Sequence, residues 1–308
     1  MRDHFIKELI KLIPEFSNIV LITGDLGFGV LDDLRKNYPD NFINAGVAEQ
    51  NMTGIATGMA LEGKIVFTYS IANFSTLRCL EQIRNDACYH GVNVNIVSIG
   101  GGFSYGALGI SHHATEDLSI MRSLPEITVV SPSSYWEVEK ATRAIVENDK
   151  VCYLRIDKSA GRDKDNNLDE SFLLGKSRML TDGDVCTIFV TGGILEEVWE
   201  AHDELENLGY KTRIVSVHTL KPFDSEVVLN AAKQTGGIVS VEENTLNGGL
   251  GSLLAETLMD NGTFPKRFLR IGLNSEFSSI VGSQKYLRKC YNLDAKSIVT
   301  KILELLKK

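Results

Sequence analysis

One carboxylate stands between a strand-like run and a helix in the segment NAGVAEQNMTGIATGMALEG, residues 44–63. Glu49 would lie at the head of that helix, where the helix dipole favours an acid, so it is either a capping group or a group placed for chemistry. Two glycines follow at helical spacing, although each costs about 1 kcal/mol relative to alanine in an exposed helix interior. Gly54 and Gly58 therefore predict that another backbone approaches this helix, either within the sheet or across a subunit interface.

Two adjacent histidines occur in ISHHATED, residues 110–117, on a loop that leads into a predicted helix. Because neighbouring side chains point in different directions, at most one of His112 and His113 would face a site as a proton-transfer or hydrogen-bonding group. A solvated loop histidine is the alternative, and with no third ligand at zinc spacing the sequence predicts no metal site. Arg155 ends a predicted strand, where it would meet an anionic ligand or form a surface salt bridge.

Glycine-rich loops accompany two of the predicted strands. In GDLGFGVLDD, residues 24–33, Asp32 stands where the dinucleotide-binding fingerprint requires a third glycine. No acidic residue ends a second strand about twenty positions later, so an ordinary turn is favoured over an NAD site. The glycine triplet 100–102 indicates flexible backbone near a strand end, where open α/β sheets bind ligands, without a specific phosphate cradle.

The composition argues against several partners. The chain has 308 residues, a formal net charge of −8 and no basic block, which disfavours nucleic acid and anionic membranes but allows a phosphorylated small molecule. Five cysteines without a CxxC pair predict buried thiols in a reducing compartment. Without a signal-peptide core or an apolar stretch of about eighteen residues, we expect a cytoplasmic protein that does not span a membrane.

Short β-branched runs alternate with helical patterns, which predicts an α/β fold with two doubly wound domains. Predicted strands lie at 18–25, 64–70, 92–100, 126–132, 151–157, 184–193, 210–220 and 236–244. Predicted helices lie at both chain ends, at 47–62, 75–88, 134–147 and 194–208, and from about residue 248. The polar stretch 157–171 interrupts the alternation, so we expect domains at 1–175 and 176–308.

The segment NAGVAEQNMTGIATGMALEGKIVFTYS closely resembles the glutamate-bearing part of transketolases and their thiamin-diphosphate-dependent relatives. The resemblance continues, in order and over essentially the whole chain, through RCLEQIRNDACYHGVNVNIVSIGGG, GISHHATEDLSIMRSLPEITVVSPSS, LKPFD and VSVEENTLNGGLGSLLAE. It covers the family's pyrimidine-binding and C-terminal domains, but not the domain whose Gly-Asp-Gly and Asn residues hold magnesium and the cofactor's diphosphate. The resemblance therefore implies the C-terminal subunit of a split transketolase.

A split enzyme of this family needs a second chain. The resemblance implies an N-terminal transketolase subunit as partner in an α2β2 assembly, with thiamin diphosphate and Mg²⁺ bound mainly by that partner. The implied reaction of carbohydrate metabolism transfers a two-carbon ketol unit between a ketose and an aldose, both small-molecule sugars. Two alternatives stay open: a 2-oxoacid-using relative (a 2-oxoacid dehydrogenase E1 β subunit or a deoxyxylulose-phosphate-synthase-like enzyme) and a degenerate, non-catalytic subunit.

Family analogy assigns roles to particular residues. Glu49 would bind N1′ of the cofactor's aminopyrimidine and shift the ring toward the imino form that activates the thiazolium carbon. His112 matches the histidine that contacts substrate oxygens at the active centre, and His113, which falls where the family has glutamine, is a further candidate substrate contact. Arg155 and Arg2 match arginines that bind a substrate phosphate.

Other positions concern cofactor contacts and substrate choice. Asp25 falls on the aspartate of the family's Ala-Asp-Leu segment and is a candidate cofactor contact. The phenylalanine that stacks on the pyrimidine in the family falls at Ile71, and Phe74, three residues on, is the candidate aromatic replacement. Gly100 replaces a family histidine, and Leu108 replaces the aspartate that recognises a sugar hydroxyl. Loss of that charged group predicts altered substrate choice, and hence a specialised or phosphorylated sugar.

Overall fold

Buried, β-branched strands form the frame of the molecule. The computed structural model describes residues 1–163 and 170–307. Its strands are β1 Ile19–Thr23, β2 Phe42–Asn44, β3 Ile65–Ile71, β4 Val94–Ile99, β5 Ile127–Val130, β6 Val151–Ile156, β7 Arg178–Thr181, β8 Cys186–Thr191, β9 Thr212–Ser216, β10 Thr219–Lys221, β11 Ile238–Thr245 and β12 Phe268–Leu273. Its α-helices are α1 Arg2–Leu12, α2 Asp32–Asn37, α3 Glu49–Leu61, α4 Ala72–Ser75, α5 Leu80–Gln82, α6 Asp117–Ser123, α7 Tyr135–Val146, α8 Leu195–Asn207, α9 Ser225–Gln234, α10 Leu250–Asp260, α11 Gln284–Cys290 and α12 Ala295–Leu306.

The first sheet has seven strands in the order β10-β5-β6-β4-β3-β1-β2, and its neighbours are parallel except for the pair β10 and β5. Strand β10 comes from the second half of the chain. The prediction of a single strand at 210–220 is therefore wrong. The backbone leaves the second sheet after Ser216, and Thr219 then pairs with Val130 of the first sheet.

The second sheet has five strands in the order β12-β11-β8-β9-β7, with the edge strand β7 antiparallel to β9. The sequence pattern does not predict β7 and β12, because both are edge strands that bury only part of their side chains. Residues 164–169, within the polar stretch expected to separate the domains, lie outside the described residues. The boundary between positions 175 and 176 stays a prediction.

Helices cover both faces of each sheet. On one face of the first sheet, Leu9 of α1 packs in the same cluster as Val138 of α7, and on the other, Met52 of α3 packs in the cluster of Ile83. Helices α8 and α12 pack on one face of the second sheet, and α9 and α10 pack on the other. These layers confirm the predicted α/β fold with two doubly wound domains.

The predicted helix 75–88 is instead a series of short turns. α4 ends at Ser75, a 3₁₀ turn spans Leu77–Cys79, and a π-helical turn, Ile83–Cys88, follows α5. Such π turns inside helical segments occur frequently at functional sites. Within the described parts of the chain, no helix is both long enough and apolar enough to cross a membrane.

The cysteines are unpaired. Four of them are buried as the sequence predicts, whereas Cys290 in α11 is exposed. Burial raises the pKa of the Cys79 and Cys88 thiols to about 11. These two thiols are therefore protonated packing groups at neutral pH.

Candidate active site

Parallel pairing brings the carboxyl ends of β1, β3, β4 and β6 to one edge of the first sheet. The segments that leave this edge are residues 24–31, 72–79, 100–113 and 157–160. Open α/β sheets bind ligands outside the carboxyl ends of their strands. This edge is therefore the candidate active site.

Glu49 is the first residue of α3, and it is 1% exposed. Its Oε2 accepts a 2.6 Å hydrogen bond from Nη1 of Arg78, whereas its Oε1 accepts a longer bond of 3.3 Å from the Ser70 hydroxyl. Gly24 lies so close that a Cβ there would stand 3.3 Å from Oε1. The carboxylate is thus fixed through one oxygen, while the other keeps acceptor capacity for a ligand.

A line of side chains leads from Glu49 toward the surface. The Arg78 guanidinium, 43% exposed, lies 4.5 Å from the centroid of the Phe74 ring. That ring contacts the His112 imidazole edge-on, with centroids 5.1 Å apart. Ile71, at the end of β3, is half-buried next to α4. The structure therefore brings Glu49, Phe74 and His112 together, and it adds Arg78, which no sequence motif identified.

The two adjacent histidines point in different directions, as their spacing predicts. His112 is partly exposed, with Nδ1 2.9 Å from the Ser111 hydroxyl, and burial followed by the charge of His113 lowers its pKa. His113 is 1% exposed, and its Nε2 donates to the Gly106 carbonyl, 3.1 Å away, so Nδ1 is left buried with no hydrogen-bond partner among the described residues. His112 is thus the neutral imidazole available to a ligand at pH 7.

Arg155 lies behind this edge. It is 2% exposed; Nε donates to Asp157 at 3.1 Å, Nη2 donates to the Glu243 carbonyl at 3.0 Å, and Nη1 lies 3.5 Å from Asp117. A Cβ at Gly101 would stand 1.6 Å from Nε, so the glycine triplet covers the guanidinium. Its role as a phosphate ligand stays a prediction, which this burial does not favour.

A cleft of mixed charge opens beside the edge and is lined by Met1, Arg2, Asp3, Ile99, Tyr105, Asp157 and Lys158, with Nε of Arg2 paired with Asp3 at 3.1 Å. The Lys158 ammonium lies 3.8 Å from the centroid of the Tyr105 ring. Burial, and after it the charge of Arg2, lowers the pKa of Lys158, so an anion placed between the two cations would stabilise the charged amine. The sequence motifs did not identify Lys158, although a cation just past the open end of a strand is the signal that points to it.

Tyr105 fills the space that a side chain at position 100 would need. Gly100 has a φ of +86°, and a Cβ there would stand 2.2 Å from the Tyr105 ring. The Tyr105 ring therefore occupies the space where a histidine, which the resemblance implies at position 100, would place its side chain. Leu108, further along this loop, is 56% exposed and presents methyl groups to solvent.

Asp25 braces the ends of β1 and β2. It has a φ of +57°, and its carboxylate accepts a 2.9 Å hydrogen bond from Nδ2 of Asn44. In return its backbone N–H donates to Oδ1 of Asn44 at 3.1 Å. These two bonds fix the backbone that follows β1 against the end of β2. A contact of Asp25 with a cofactor stays a prediction.

Gly54 and Gly58 lie on the exposed face of α3, and within the described residues nothing stands within 4 Å of a Cβ built at either position. The alternative in which the sheet of the same chain approaches them is therefore wrong. Val47 and Leu61, which are 72% and 58% exposed, flank this face. The remaining alternative is a second chain that packs on this face.

Comparison with known families matches the transketolase pyrimidine-binding domain over residues 1–164 and the transketolase C-terminal domain over residues 175–298. An apulose-4-phosphate transketolase subunit of Phocaeicola vulgatus is 35% identical over 308 residues, which cover 100% of this chain and 97% of the relative. The 6-deoxy-6-sulfo-D-fructose transketolase subunit SqwH of a Clostridium species is 36% identical over 300 residues, covering 97% and 92%. A solved structure described as a split gene transketolase, inactive β4 tetramer, has a TM-score of 0.88 at 32% identity and covers 99% of this chain and 97% of that chain.

The two matched domains place the chain in the thiamin-diphosphate-dependent class of enzymes. Within that class, the chain belongs to the transketolase family. It has the domain content of the C-terminal subunit of a split transketolase, as the sequence resemblance predicts.

Proposed function

We propose that this chain is the C-terminal subunit of a two-chain, thiamin-diphosphate-dependent transketolase that transfers a two-carbon ketol unit from a ketose to an aldose. The observation that carries the proposal is the buried Glu49 carboxylate, held by Arg78 through one oxygen and bordered by Gly24 at the other. Relatives named as transketolase subunits match this chain over nearly their whole length, which supports a two-chain enzyme.

The residues around Glu49 fit the aminopyrimidine end of the cofactor. When bound, thiamin diphosphate supplies a nucleophilic thiazolium carbon for carbonyl chemistry. Oε1 of Glu49, which accepts only a long bond from Ser70, would share a proton with a ring nitrogen of the bound cofactor, while Arg78 keeps the carboxylate oriented through Oε2. Phe74, which packs on the Arg78 guanidinium, and Ile71, at the end of β3, are our candidates for the aromatic and aliphatic surface beside the ring.

Neutral His112 hydrogen-bonds the oxygens of the sugar, and the cleft of Lys158 and Arg2 binds an anionic group at the sugar's far end. The two relatives are named for sugars that carry a phosphate or a sulfo group, which supports an anionic substrate. Leu108 offers apolar surface where a charged side chain would recognise a hydroxyl, which favours a specialised sugar.

An N-terminal partner subunit supplies the groups that hold the diphosphate and Mg²⁺, in an α2β2 assembly. The exposed glycine face of α3, flanked by Val47 and Leu61, is our candidate for a contact between chains. The unpaired cysteines support a reducing compartment, and we place the enzyme in the cytoplasm.

Replacement of Lys158 with Met should raise the KM for an anionic sugar about 10- to 100-fold with little change in kcat, because a charge-assisted hydrogen bond contributes about 1.5–3 kcal/mol. Steady-state kinetics of the two-chain complex measure this effect. Lys140→Met is the matched control, since Lys140 lies 5.8 Å from the centroid of the Trp136 ring in α7. An unchanged KM would show that the anion binds elsewhere.

The double variant Gly54→Ala, Gly58→Ala should stabilise the isolated chain by up to about 2 kcal/mol, because each added Cβ meets open space and alanine favours the helix. It should at the same time weaken assembly, because the added methyl groups hold an approaching backbone away. Thermal unfolding and analytical ultracentrifugation measure the two effects, with Glu200→Ala on the exposed face of α8 as control. Assembly at wild-type affinity would exclude this face as an interface.

The two alternative functions differ in their products. The complex is supplied with thiamin diphosphate, Mg²⁺ and a panel of phosphorylated and sulfonated ketoses and aldoses, and in a parallel reaction with pyruvate. Ketol transfer without release of carbon dioxide is the expected result. Decarboxylation of pyruvate would identify a 2-oxoacid-using enzyme, and no turnover with any donor would identify a non-catalytic subunit.

A further inference from the structure

The loop 100–113, which carries Tyr105 and His112, rests on a carboxylate from the other domain. Glu243 lies at the carboxyl end of β11 in the second sheet, and it is 2% exposed. Its Oε1 accepts a 2.6 Å hydrogen bond from the backbone N–H of Phe103, in the middle of this loop. A group of the C-terminal domain thus holds the loop backbone directly.

Arginine fixes the other oxygen of that carboxylate. Oε2 of Glu243 accepts a 2.6 Å hydrogen bond from Nε of Arg288, which is 1% exposed and also pairs with Glu196 and with Glu197. Nε2 of Gln284 lies 3.1 Å from each Glu243 oxygen. Both oxygens are therefore occupied, and the direction in which Glu243 points is determined.

The glycine triplet 100–102 lets the loop backbone approach the side chains of Glu243 and Arg155 closely. A Cβ at Gly102 would stand 2.6 Å from Cγ of Glu243, and Gly102 has a φ of +57°. A Cβ at the neighbouring Gly101 would overlap Arg155, whose Nη2 donates to the Glu243 carbonyl. The loop backbone and the buried charges are therefore fitted to each other.

The buried charges of Glu243, Arg288 and Arg155 are not an efficient way to stabilise the fold. Burying charges costs several kcal/mol each, and apolar replacements of similar volume are often as stable. The geometry of these charges, by contrast, sets one position of a loop that glycines would otherwise leave free to move. The partly exposed His112 follows on the same loop. The loop backbone next to it is held by Asn73, whose Nδ2 donates to the His113 carbonyl at 2.8 Å.

We propose that Glu243 is a positioning residue, through which the C-terminal domain sets the loop that presents Tyr105 and His112 to the substrate. The hydrogen bond from Phe103 supports the claim that Glu243 fixes the loop. The expected effect of Glu243 on turnover rests in addition on the proposed transketolase function. Glu243 itself lies beneath the loop, and it acts on the substrate through the loop.

The test combines hydrogen exchange with kinetics in the two-chain complex. In Glu243→Gln one acceptor oxygen becomes an NH₂ group, which faces either the Phe103 N–H or Arg288. We expect exchange at the Phe103 amide and its neighbours to become about 10- to 100-fold faster, and kcat to fall by a similar factor with a smaller change in KM.

Glu137→Gln is the matched control. Glu137 is fully buried, accepts from the Ser133 N–H at 2.7 Å and pairs with Arg178 across the two domains, but it does not contact the loop. A purely structural role for Glu243 predicts that both variants lower the Tm and neither changes exchange in loop 100–113. That result would overturn the proposal, and so would faster exchange in Glu243→Gln with an unchanged kcat.

Two further arms complete the test. If Glu243→Gln does not fold, Glu243→Asp takes its place. Aspartate keeps the negative charge for Arg288, but its shorter side chain withdraws the carboxylate from Phe103, so exchange at the Phe103 amide should become faster. Unchanged exchange at that amide would overturn the proposal. If exchange accelerates but wild-type complex transfers no ketol group, the proposed function fails while the hold on the loop is supported.

Discussion

Glu49→Gln should lower ketol-transfer turnover of the two-chain complex by about 10²- to 10⁴-fold, the range typical for loss of a positioned proton-transfer group. Glutamine has nearly the same shape and can still accept from Arg78, so the chain should fold. It cannot share a proton with the cofactor ring as a carboxyl group does. Steady-state turnover at saturating thiamin diphosphate measures the effect.

Glu8→Gln is the control for this experiment. Glu8 is also a largely buried helical carboxylate paired with a half-exposed arginine, Arg143, but it lies in α1, outside the residues assigned to the site. The Glu8→Gln complex should keep a turnover within about twofold of wild type, because the partners of Glu8, Arg143 and Lys11, are not residues assigned to the site. Full turnover of the Glu49 variant would remove the basis for the proposed catalysis.

Arg155→Ala should lower the free energy of unfolding by about 3–5 kcal/mol, because it leaves the carboxylates of Asp117 and Asp157 buried without their cation. Asp117 already has a raised pKa, mainly through burial, and the charge of Arg155 opposes that rise. Urea unfolding of the isolated chain, followed by circular dichroism, measures the loss.

Arg35→Ala tests whether the loss depends on burial. Arg35 lies 3.6 Å from Asp32 in α2, and both side chains are well exposed, so the expected loss is about 0–1 kcal/mol. If Arg155→Ala instead unfolded like wild type and only raised the KM for a phosphorylated sugar, Arg155 would be the phosphate ligand that the family resemblance implies.

The alternating pattern predicts most of the fold, because strands buried on both faces are continuous β-branched runs between helical segments. It does not predict that Thr219–Lys221 joins the first sheet, since that pairing depends on how the two sheets lie together. Nor does it predict the π-helical turn Ile83–Cys88, whose residues follow an ordinary helical pattern.

The site is predicted less completely than the fold. The resemblance predicts Glu49 and His112 as site residues, and the structure brings both to the same edge of the first sheet. It gave no indication of Arg78 or Lys158, because each depends on a neighbour distant in sequence or on an adjoining loop. For Arg155 the sequence could not show burial: the glycine triplet covers its guanidinium, and its role as a phosphate ligand stays a prediction.

Native mass spectrometry of this chain purified with its bound partners from its own cells tests the central claim most directly. The proposed function predicts one stoichiometric partner chain that carries the diphosphate-binding domain, with thiamin diphosphate retained in the complex. A chain recovered alone that binds no thiamin diphosphate when Mg²⁺ is added, or one joined to a partner without that domain, would contradict the proposal. Glu49 would then be only the buried partner of Arg78.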